Sequence, residues 1–339
     1  MSLNLEDIAR LAGVSRSTVS RVINHHPNVS DATRQKVLQI IEEQNFRPNL
    51  AARTLVTQRT RVIGILIPHA VAVFTPYYFP TLLQGIGDTT HERDYATLLW
   101  WGQSGAEEER FTRRILQQNR LMDGLIIASA TVDDPLIPRM LQMKIPFVMV
   151  ERPLYFADQI SYVTIDNVQG AKMAVDHLIK LGRRRIGHLT GSLNNVDGQD
   201  RLTGYRLALQ EHGIPFNPDY VVEAQFTRKA GYTGMKELLQ RDVDAVFAGN
   251  DDAAVGALQA MHEANVCIPE DIALVGFDDL PTALDFTPQL TTIHQPIREK
   301  GATATSVLLD IIEGMVEAPR HVLLPTELVI RESCGGPQA

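Results

Sequence analysis

The sequence predicts an N-terminal helix-turn-helix head followed by a core of two doubly wound parallel α/β lobes. Three observations predict this fold. A short segment with helical spacing comes first, and from Arg61 onward apolar runs of five to eight residues alternate with helical stretches. Charge separates the two parts, because residues 1–60 hold eight basic side chains against five acidic ones, whereas the rest of the chain holds 24 against 35. A small basic segment on an acidic protein is typical of an appended binder of nucleic acid or an anionic surface.

The head, residues 1–46, is predicted to form three short helices. Gly13 supplies a left-handed stop after the first helix. Ser15 is expected to cap the second helix and Ser30 the third. Two helices joined by a short glycine-containing turn and braced by a third helix form a helix-turn-helix. The apolar positions expected to face inward are Leu5, Ile8, Leu11, Val19, Val22, Ile23, Val37, Ile40 and Ile41.

The second helix carries side chains suited to reading DNA. A helix in the major groove must present short or flexible polar side chains near its N-terminal end, while its opposite face packs inward. Arg16, Ser17 and Arg21 are expected to face base edges. Thr18 and Ser20 are expected to reach phosphates. Without the rest of the chain, the same stretch also fits a solvated helix face rich in Ser, Thr and Arg.

The core is predicted to contain parallel sheets because its apolar runs are nearly continuous, as in strands covered by helices on both faces. These runs lie at 62–68, 96–101, 124–129, 147–151, 185–191, 245–251 and 272–279. Ligands of such sheets lie beyond the carboxyl ends of the strands. Polar residues gather at those ends, namely Glu151, Asn194, Asn250, Asp251, Asp278 and Asp279. The cleft between the two lobes is therefore the expected small-molecule site.

Several residue types in the core suit a neutral polyol. Planar polar groups bridge neighbouring hydroxyls, and aromatic rings pack against the apolar face of a sugar. The planar polar groups are Arg201, Asn250 and Asp278, and the rings are Tyr78, Phe79 and Phe226. Each group also has a structural explanation, which is an ion pair for Arg201, core packing for the rings and a turn cap for Asp278. His188 is expected to pack in the core.

Other classes of function find little support. The sequence has no GxGxxG after a strand and no GxxxxGK[ST], HExxH or GxSxG motif, so no enzymatic activity, catalytic residue or cofactor is expected. Cys267 and Cys334 lie far apart without metal-ligand spacing, so no metal site is expected. The uncharged stretch 62–87 is interrupted by three prolines, which argues against a membrane span. The N-terminus lacks the apolar region of a secretory signal, so we expect a cytoplasmic protein.

These motifs resemble those of a known family. LEDIARLAGVSRSTVSRVIN, followed by the spaced pattern VS...TR..V and by FRPNLAARTL, resembles the head and hinge of the lactose-repressor (LacI/GalR) family of bacterial transcription regulators. The family's core landmarks are similar, in the same order, to MDGLII, IPFVMVER, HLIKLGRRRIGHLTG, RLTGY, AGNDDAAVGAL, IPEDIALVGFDD and LTTIHQP. The resemblance covers essentially the whole chain. It implies a two-lobed core resembling periplasmic binding proteins.

The resemblance implies domain boundaries and a DNA interface. The expected parts are the head at 1–46, a hinge helix and linker at 47–60, and the core at 61–339, with one lobe at about 61–161 and 293–319 and the other at about 162–292 and 320–333. Leu55 occupies the position of a leucine that the family wedges into a minor-groove base step, although an ordinary linker is the alternative for this segment alone. A hinge helix of about eight residues is not expected to be stable without DNA. The implied DNA contacts are Ser15, Arg16, Ser17, Thr18, Ser20, Arg21, Asn24, Asn49, Ala52, Arg53 and Leu55.

The resemblance also implies an effector site. Its expected residues are Tyr78, Phe79, Glu151, Asp197, Arg201, Phe226, Asn250 and Asp278. Glu151 stands where the family more often has Asp, so its extra methylene is expected to shorten the pocket. Which ring of Tyr77, Tyr78 and Phe79 faces the ligand is left open.

The expected function is that of a nucleoid-associated repressor of carbohydrate-metabolism genes. The expected partners are double-stranded DNA with a pseudo-palindromic operator, a small sugar-like effector that releases the repressor, and a second copy of the chain. A dimer is expected instead of a tetramer because the chain ends soon after its last strand. The alternatives are a purine- or other metabolite-responsive regulator that needs a corepressor and, more remotely, a solute-binding protein or an enzyme.

Overall fold

The computed structural model describes residues 3–23, 27–46, 59–67, 77–101, 121–128 and 130–336. The chain divides into two compact units, Met1–Thr60 and Arg61–Ala339. The helices described in the first unit are α1 (Leu5–Ala12), α2 (Arg16–Ile23) and α3 (Asp31–Glu43). Each of these helices packs against the other two, as a helix-turn-helix with its bracing helix requires.

The ends of these helices confirm the predicted capping roles of Gly13, Ser15 and Ser30. Gly13 ends α1 with φ 64°, in the left-handed conformation that glycine adopts without steric cost. The Ser15 hydroxyl accepts a hydrogen bond from the backbone N–H of Thr18 at 3.1 Å. The Ser30 hydroxyl accepts one from the N–H of Thr33 and caps α3. The short helices are therefore bounded by their own local chemistry.

The core of the head is small. Its fully buried members are Ile8, Ala12, Val19, Val22 and Val37. Leu11, which the sequence placed on the inward stripe, is instead 51% exposed. The buried stripe of α1 runs along Ile8 and Ala12, one helical turn apart, and this leaves Leu11 at the solvent edge. A core of this size makes the head marginally stable by itself.

The second unit contains two sheets and the helices that cover them. Its strands are β1 (Val62–Ile67), β2 (Ala96–Trp101), β3 (Gly124–Ile127), β4 (Phe147–Met149), β5 (Ser161–Ile165), β6 (Ile186–Thr190), β7 (Val221–Glu223), β8 (Ala245–Ala248), β9 (Ala273–Asp278), β10 (Thr291–His294), β11 (His321–Leu324) and β12 (Glu327–Val329). Its described helices are α4 (Tyr78–Glu92), α5 (Leu136–Met143), α6 (Asn167–Lys180), α7 (Val196–Glu211), α8 (Arg228–Leu238), α9 (Asp251–Glu263) and α10 (Ile297–Glu313). Short 3-10 turns lie at Pro218–Tyr220, Pro281–Ala283 and Glu332–Cys334.

Each sheet has six strands and defines one lobe. The first has the order β11-β5-β4-β3-β1-β2, and all of its pairs are parallel. The second has the order β12-β10-β9-β8-β6-β7. Its pairs are parallel except for β12, which runs antiparallel to β10 at the edge. The predicted pair of doubly wound parallel sheets is confirmed, with this one antiparallel edge strand added.

Helices cover both faces of each sheet. In the first lobe, α4 and α10 pack together on one face, while α5 covers the other with a separate apolar cluster. In the second lobe, α6 and α7 cover one face, and α8 and α9 cover the other. This double cover explains why the central strands are nearly continuous apolar runs. Within the described ranges, no helix is long and apolar enough to cross a membrane.

The chain passes between the lobes three times, and each crossing lies beyond the predicted boundary. The sequence placed these boundaries after 161, 292 and 319. The first sheet instead contains β5 (Ser161–Ile165) and β11 (His321–Leu324), so two of the crossings come after these strands. The second sheet contains β10 (Thr291–His294), so the third crossing comes after that strand. A strand cannot change sheets partway without losing its ladder of hydrogen bonds, so the chain crosses only after each strand ends. The crossings lie between β5 and α6, between β10 and α10, and between β11 and β12.

His188 lies in the middle of β6 and is fully buried, as the sequence predicts. Its ring stacks between those of Tyr205 and Phe247, at centroid distances of 5.0 and 4.7 Å. Its Nδ1 lies 2.9 Å from the Phe247 carbonyl oxygen, to which it donates as the neutral tautomer. Burial lowers the pKa of His188 to about 4. The imidazole is therefore neutral in the folded protein.

This buried histidine should make the protein less stable in acid. Between pH 6.5 and 4 the unfolded chain protonates His188 while the folded state does not, so lowering the pH favours unfolding. We expect His188 to contribute a loss of about 2 kcal/mol of unfolding free energy between pH 7 and pH 5. Urea unfolding of the wild type and of His188→Phe at pH 7 and at pH 5 measures this loss. Carboxyl groups that titrate in the same range affect both proteins, so their contribution cancels when the pH dependence of the variant is subtracted from that of the wild type. An equal pH dependence in the two proteins would contradict the prediction.

Candidate functional site

A cavity of about 420 Å³ lies between the two lobes, at the carboxyl ends of their strands. Small-molecule sites typically occupy about 300–1,000 Å³ and lie at this end of open parallel sheets. The first lobe contributes the start of α4 and the loops after β3 and β4, and the second lobe contributes the loops after β6, β7, β8 and β9. The lining side chains include Tyr78, Phe79, Glu151, Asn194, Asn195, Asp197, Arg201, Gln225, Phe226, Thr227, Asn250, Asp252 and Asp278.

All eight residues that the sequence assigned to an effector site line this single cavity. Of the three neighbouring aromatic residues left open, Tyr78 and Phe79 line it, whereas Tyr77 packs against the core. Sequence reasoning missed Asn195, Gln225, Thr227 and Asp252. Their position after a strand or at a helix start was a usable signal for all four, because every such loop opens into the same cleft.

Arg201 is the central basic group of the site, with 3% of its surface exposed. Its Nε donates to Asn167 Oδ1 at 2.9 Å, and its Nη1 donates to the Gly249 carbonyl and lies 3.4 Å from Asp278 Oδ1. The guanidinium also lies 3.7 Å from the centroid of the Phe277 ring. These contacts fix the planar group in one orientation before any ligand arrives. Preorganisation of this kind lowers the entropic cost of binding.

A chain of buried polar groups joins the second-lobe wall of the cavity to the first lobe. Gln295 donates from its Nε2 to Asp278 Oδ1 and accepts a hydrogen bond from Lys300 Nζ at 3.1 Å. Lys300 lies on α10 and is 1% exposed, and its Nζ also donates to the Tyr78 hydroxyl oxygen at 2.8 Å. An ammonium group can only donate, so the Tyr78 oxygen accepts and its own hydrogen is left for another acceptor. No sequence motif pointed to Lys300, which stands in an ordinary helical stretch.

Burial raises the pKa of three lining groups, Asp278, Tyr78 and Asp252. The pKa of Asp278 rises to about 6 because the carboxyl is buried, although Arg201 and the Gln295 hydrogen bond oppose this shift. Burial, followed by the charges of Glu151, Asp197 and Asp278, holds the pKa of Tyr78 well above its usual value, so the phenol stays neutral. Tyr78 therefore remains a hydrogen-bond donor at the wall of the cavity.

Three residues that line the cavity have a positive φ. Gln225 and Phe226 are consecutive residues with φ of 49° and 58°, and Asp278 has φ of 116°. Such conformations cost free energy for residues other than glycine and are common where a loop holds a ligand. A Cβ atom at Gly191 would fall 1.9 Å from the Phe226 ring, so a glycine is required there for the ring to take its place. The strain and the close approach both serve to place Phe226 at the wall.

Asn250 has a structural role as well as a position in the cavity wall. Its Oδ1 accepts the N–H of Ala253 and caps α9, and its Nδ2 donates to the Phe226 carbonyl at 3.2 Å. One amide hydrogen is left for a ligand. Asp197 is likewise anchored, since its Oδ1 accepts a hydrogen bond from Asn167 at 2.9 Å. The polar wall is therefore rigidly supported.

The cavity is acidic. The four carboxyl side chains in its lining are Glu151, Asp197, Asp252 and Asp278. Arg201 is the single basic side chain among the described lining residues, and Lys300 stands behind the wall. An anionic ligand would meet several like charges in a region of low dielectric constant, where repulsion is strong. The lining therefore disfavours an anionic ligand.

The second candidate interface is the exposed face of α2. Ser15, Arg16, Ser17 and Arg21 are exposed, and Thr18 and Ser20 are half-buried. Val19 and Val22, on the opposite face, are fully buried. The helix therefore separates its faces as the sequence predicts. The proposed contacts Asn24, Asn49, Ala52, Arg53 and Leu55 lie outside the described residues.

The serine hydroxyls at the start of α2 contact one another. Ser15 Oγ lies 2.7 Å from Ser17 Oγ and 2.8 Å from Thr18 Oγ1. Arg16 forms an exposed ion pair with Glu6 at 3.7 Å. Exposed pairs of this kind contribute little stability, so Arg16 can exchange it for a DNA contact.

Comparisons with known proteins agree with both parts of the chain. Residues 4–49 match the model of bacterial regulatory proteins of the lacI family, and residues 175–334 match that of the periplasmic binding protein-like domain. The chain is 40% identical over 334 residues to the HTH-type transcriptional regulator CelR of Thermobifida fusca, covering 97% of each chain.

Two solved structures are similar over nearly the full length. A complex of the transcriptional regulator CelR with cellobiose has a TM-score of 0.78 and 36% identity, covering 98% of this chain and 99% of the other. A lac repressor dimer bound to operator and the anti-inducer ONPF has a TM-score of 0.85 and 27% identity, again covering 98% and 99%. The similarity therefore includes the head as well as the core.

Proposed function

Since the chain belongs to the lacI family of bacterial regulatory proteins, which are helix-turn-helix DNA-binding regulators of transcription, we propose that it is a homodimeric repressor of carbohydrate-metabolism genes whose effector is a neutral sugar. The repressor acts in the cytoplasm at the nucleoid, on a pseudo-palindromic operator that mirrors its two-fold symmetry. This role requires no catalytic step and no cofactor.

The composition of the interlobe cavity is the observation that carries the proposal. It combines planar polar groups that are able to bridge neighbouring hydroxyls, Arg201 and Asp278, with the rings of Tyr78, Phe79 and Phe226. Sugars need both kinds of contact. The similar regulator CelR has been solved in complex with cellobiose, which supports a sugar over other effectors.

The arrangement of the rings argues against the alternative, a purine corepressor. A flat base is held best between parallel aromatic faces. Tyr78 and Phe79 instead stand edge to face, at an interplanar angle of 77° and a centroid distance of 5.2 Å. Among the described residues, no pair of parallel aromatic rings lines the cavity.

The proposed mechanism couples the cavity to the DNA through the angle between the lobes. A ligand that touches Tyr78 and Glu151 on one lobe and Arg201 on the other stabilises one angle between the lobes, which the three crossings connect. In a dimer, this angle sets the distance between the paired hinge segments. A ligand releases DNA when it binds the DNA-incompetent state more tightly, by a coupling free energy of about 1–3 kcal/mol in typical cases. The role of the hinge segment with Leu55 in this mechanism rests only on the resemblance of the sequence to the family.

The proposal predicts that a neutral sugar will bind the core and release the DNA. A DNA duplex that the purified protein binds tightly is first selected from a random-sequence pool, and this duplex serves as the operator. A panel of neutral sugars, their phosphates and free purines is then tested by thermal shift and by duplex titration. We expect one neutral sugar to raise Tm by several degrees, as about 2.7 kcal/mol of ligand stabilisation implies, and to weaken duplex binding about 5- to 150-fold.

The controls separate the parts of this proposal. The phosphate of the active sugar should bind far more weakly, because the cavity is acidic. Preferential binding of a purine or a sugar phosphate would contradict the neutral-sugar effector. A sugar that tightens duplex binding would reverse the direction of regulation and make the protein corepressor-dependent.

A further inference from the structure

Lys300 is a buried cation in a place where stability favours an apolar side chain. It is the fourth residue of α10, with 1% of its surface exposed. The first turn of a helix is electropositive, so a cation is unfavourable there. The two acceptors of its Nζ, the Tyr78 hydroxyl oxygen at 2.8 Å and Gln295 Oε1 at 3.1 Å, are both neutral. Burying an ammonium group costs free energy that neutral acceptors offset only in part, so the charge calls for a functional explanation.

The packing of α4 against α10 holds Lys300 next to Tyr78. Tyr78 begins α4, and Lys300 lies near the start of α10. A Cβ atom at Gly85 would fall 1.9 Å from a backbone oxygen of α10, and a Cβ atom at Gly301 would fall 2.3 Å from a backbone oxygen of α4. Larger residues at either glycine would force the two helices apart. The contact between the ammonium group and the phenol is therefore fixed by the backbones of both helices.

Lys300 sets the direction of the hydrogen bonds on either side of it, because an ammonium group can only donate. The Tyr78 oxygen must accept, so the phenol hydrogen points away from Lys300. Gln295 Oε1 must accept as well, so its amide cannot turn round, and Nε2 is the end that donates to Asp278 Oδ1. Asp278 therefore meets a donor on its buried side and keeps its role as an acceptor.

The two ends of this polar chain lie on opposite walls of the cavity. Tyr78 belongs to the first lobe, and Asp278 ends β9 in the second lobe. We propose that Lys300 is a positioning residue for the effector, which keeps Tyr78 as a hydrogen-bond donor on one wall and Asp278 as an acceptor on the other. This inference rests on the proposed function, since it concerns the same effector. A sugar hydroxyl both donates and accepts, so a sugar can satisfy both walls and bridge the lobes in one orientation.

A double-mutant cycle measured by calorimetry tests this role. The full-length proteins are the wild type, Lys300→Met, Tyr78→Phe and the variant with both substitutions. The probes are glucose, galactose, ribose, fructose and cellobiose, and the one that the wild type binds most tightly is used for all four proteins. Each single substitution should weaken its binding about tenfold. Because Lys300 acts partly through the phenol hydroxyl, the double variant should lose about 20-fold, well below the roughly 100-fold loss expected for independent residues.

A second variant and a matched control complete the cycle. Lys300→Gln keeps a polar side chain, but its amide can also accept, so it should show the same coupling to Tyr78→Phe. The control is Thr305→Val, a fully buried position of α10 whose hydroxyl donates to the Gly301 carbonyl. It should change the affinity for the sugar less than about twofold, and its effect should multiply with that of Tyr78→Phe. Tm of each variant reports folding.

The outcomes separate this inference from the proposed function. If the losses from Lys300→Met and Tyr78→Phe simply multiply, Lys300 acts only through packing, which overturns the inference and leaves the sugar-binding function standing. An affinity unchanged in folded Lys300→Met and Lys300→Gln proteins would overturn it as well. If the wild type binds none of the five sugars, the proposed function fails, and this inference fails with it.

Discussion

Arg201→Ala should abolish the response to the effector while binding to DNA persists. The substitution removes a buried guanidinium that contacts Asn167, Gly249 and Asp278 at the wall of the cavity. Charged hydrogen bonds contribute about 1.5–3 kcal/mol each, so we expect the dissociation constant of the releasing sugar to rise at least about 100-fold. The duplex then stays bound at sugar concentrations that release the wild type. Calorimetry and duplex titration with added sugar measure the two effects.

The same substitution should also lower the stability of the core. It leaves the buried Asp278 carboxyl without its basic partner, a change that typically costs about 3–5 kcal/mol. Arg201→Lys keeps the charge but loses the planar fork, so it should retain more stability and still bind the sugar at least about tenfold more weakly. Arg206→Ala, an exposed position on the same helix, is the matched control. An unchanged response in a folded Arg201→Ala protein would remove Arg201 from the site.

Arg16→Ala and Arg21→Ala should each weaken binding to the selected duplex far more than binding to unrelated DNA. Both side chains are exposed on α2, on the face opposite the buried Val19 and Val22. An arginine paired with a guanine edge contributes about 1–3 kcal/mol of discrimination, so each substitution should lower specific affinity about 5- to 150-fold. The double variant should approach the nonspecific level. Fluorescence anisotropy with the selected duplex and a scrambled duplex, at fixed salt, measures both affinities.

Lys36→Ala, an exposed basic position on α3, is the control for lost charge. It should change both affinities by a similar small factor, as expected for a general electrostatic contribution. If Arg16→Ala and Arg21→Ala lower the affinity for the two duplexes equally, the two arginines contact only phosphates. Base recognition would then have to come from other residues of the head.

The lobes were predictable because their signals are local and repetitive. The runs at Val62–Ile67 and Ala273–Asp278 are apolar throughout, since helices cover both faces of these central strands. Two of the strands that escaped prediction, Val221–Glu223 and Glu327–Val329, have only partly buried or exposed residues. These lie at the edges of the second sheet, where one side has no strand partner and the apolar pattern weakens. The antiparallel direction of the last strand has no local signal.

The lining of the cavity was predictable for a topological reason. Asn250 and Asp278 each follow or end a strand, and parallel strands bring such ends to one edge of the sheet. The contacts that control these residues were not predictable. Lys300 reaches Tyr78 across 222 positions of sequence, and no spacing or composition connects them.

By itself, the sequence determined which face of α2 is polar, where seven strands of the two lobes lie, and which residue types stand at their carboxyl ends. These properties follow from periodicity, capping and strand order, which act over a few residues at a time. Only the tertiary structure decided which ring faces the cavity and how burial raises the pKa of Asp278. Those properties depend on distances between parts of the chain that are remote in sequence, and such distances exist only once both lobes have packed.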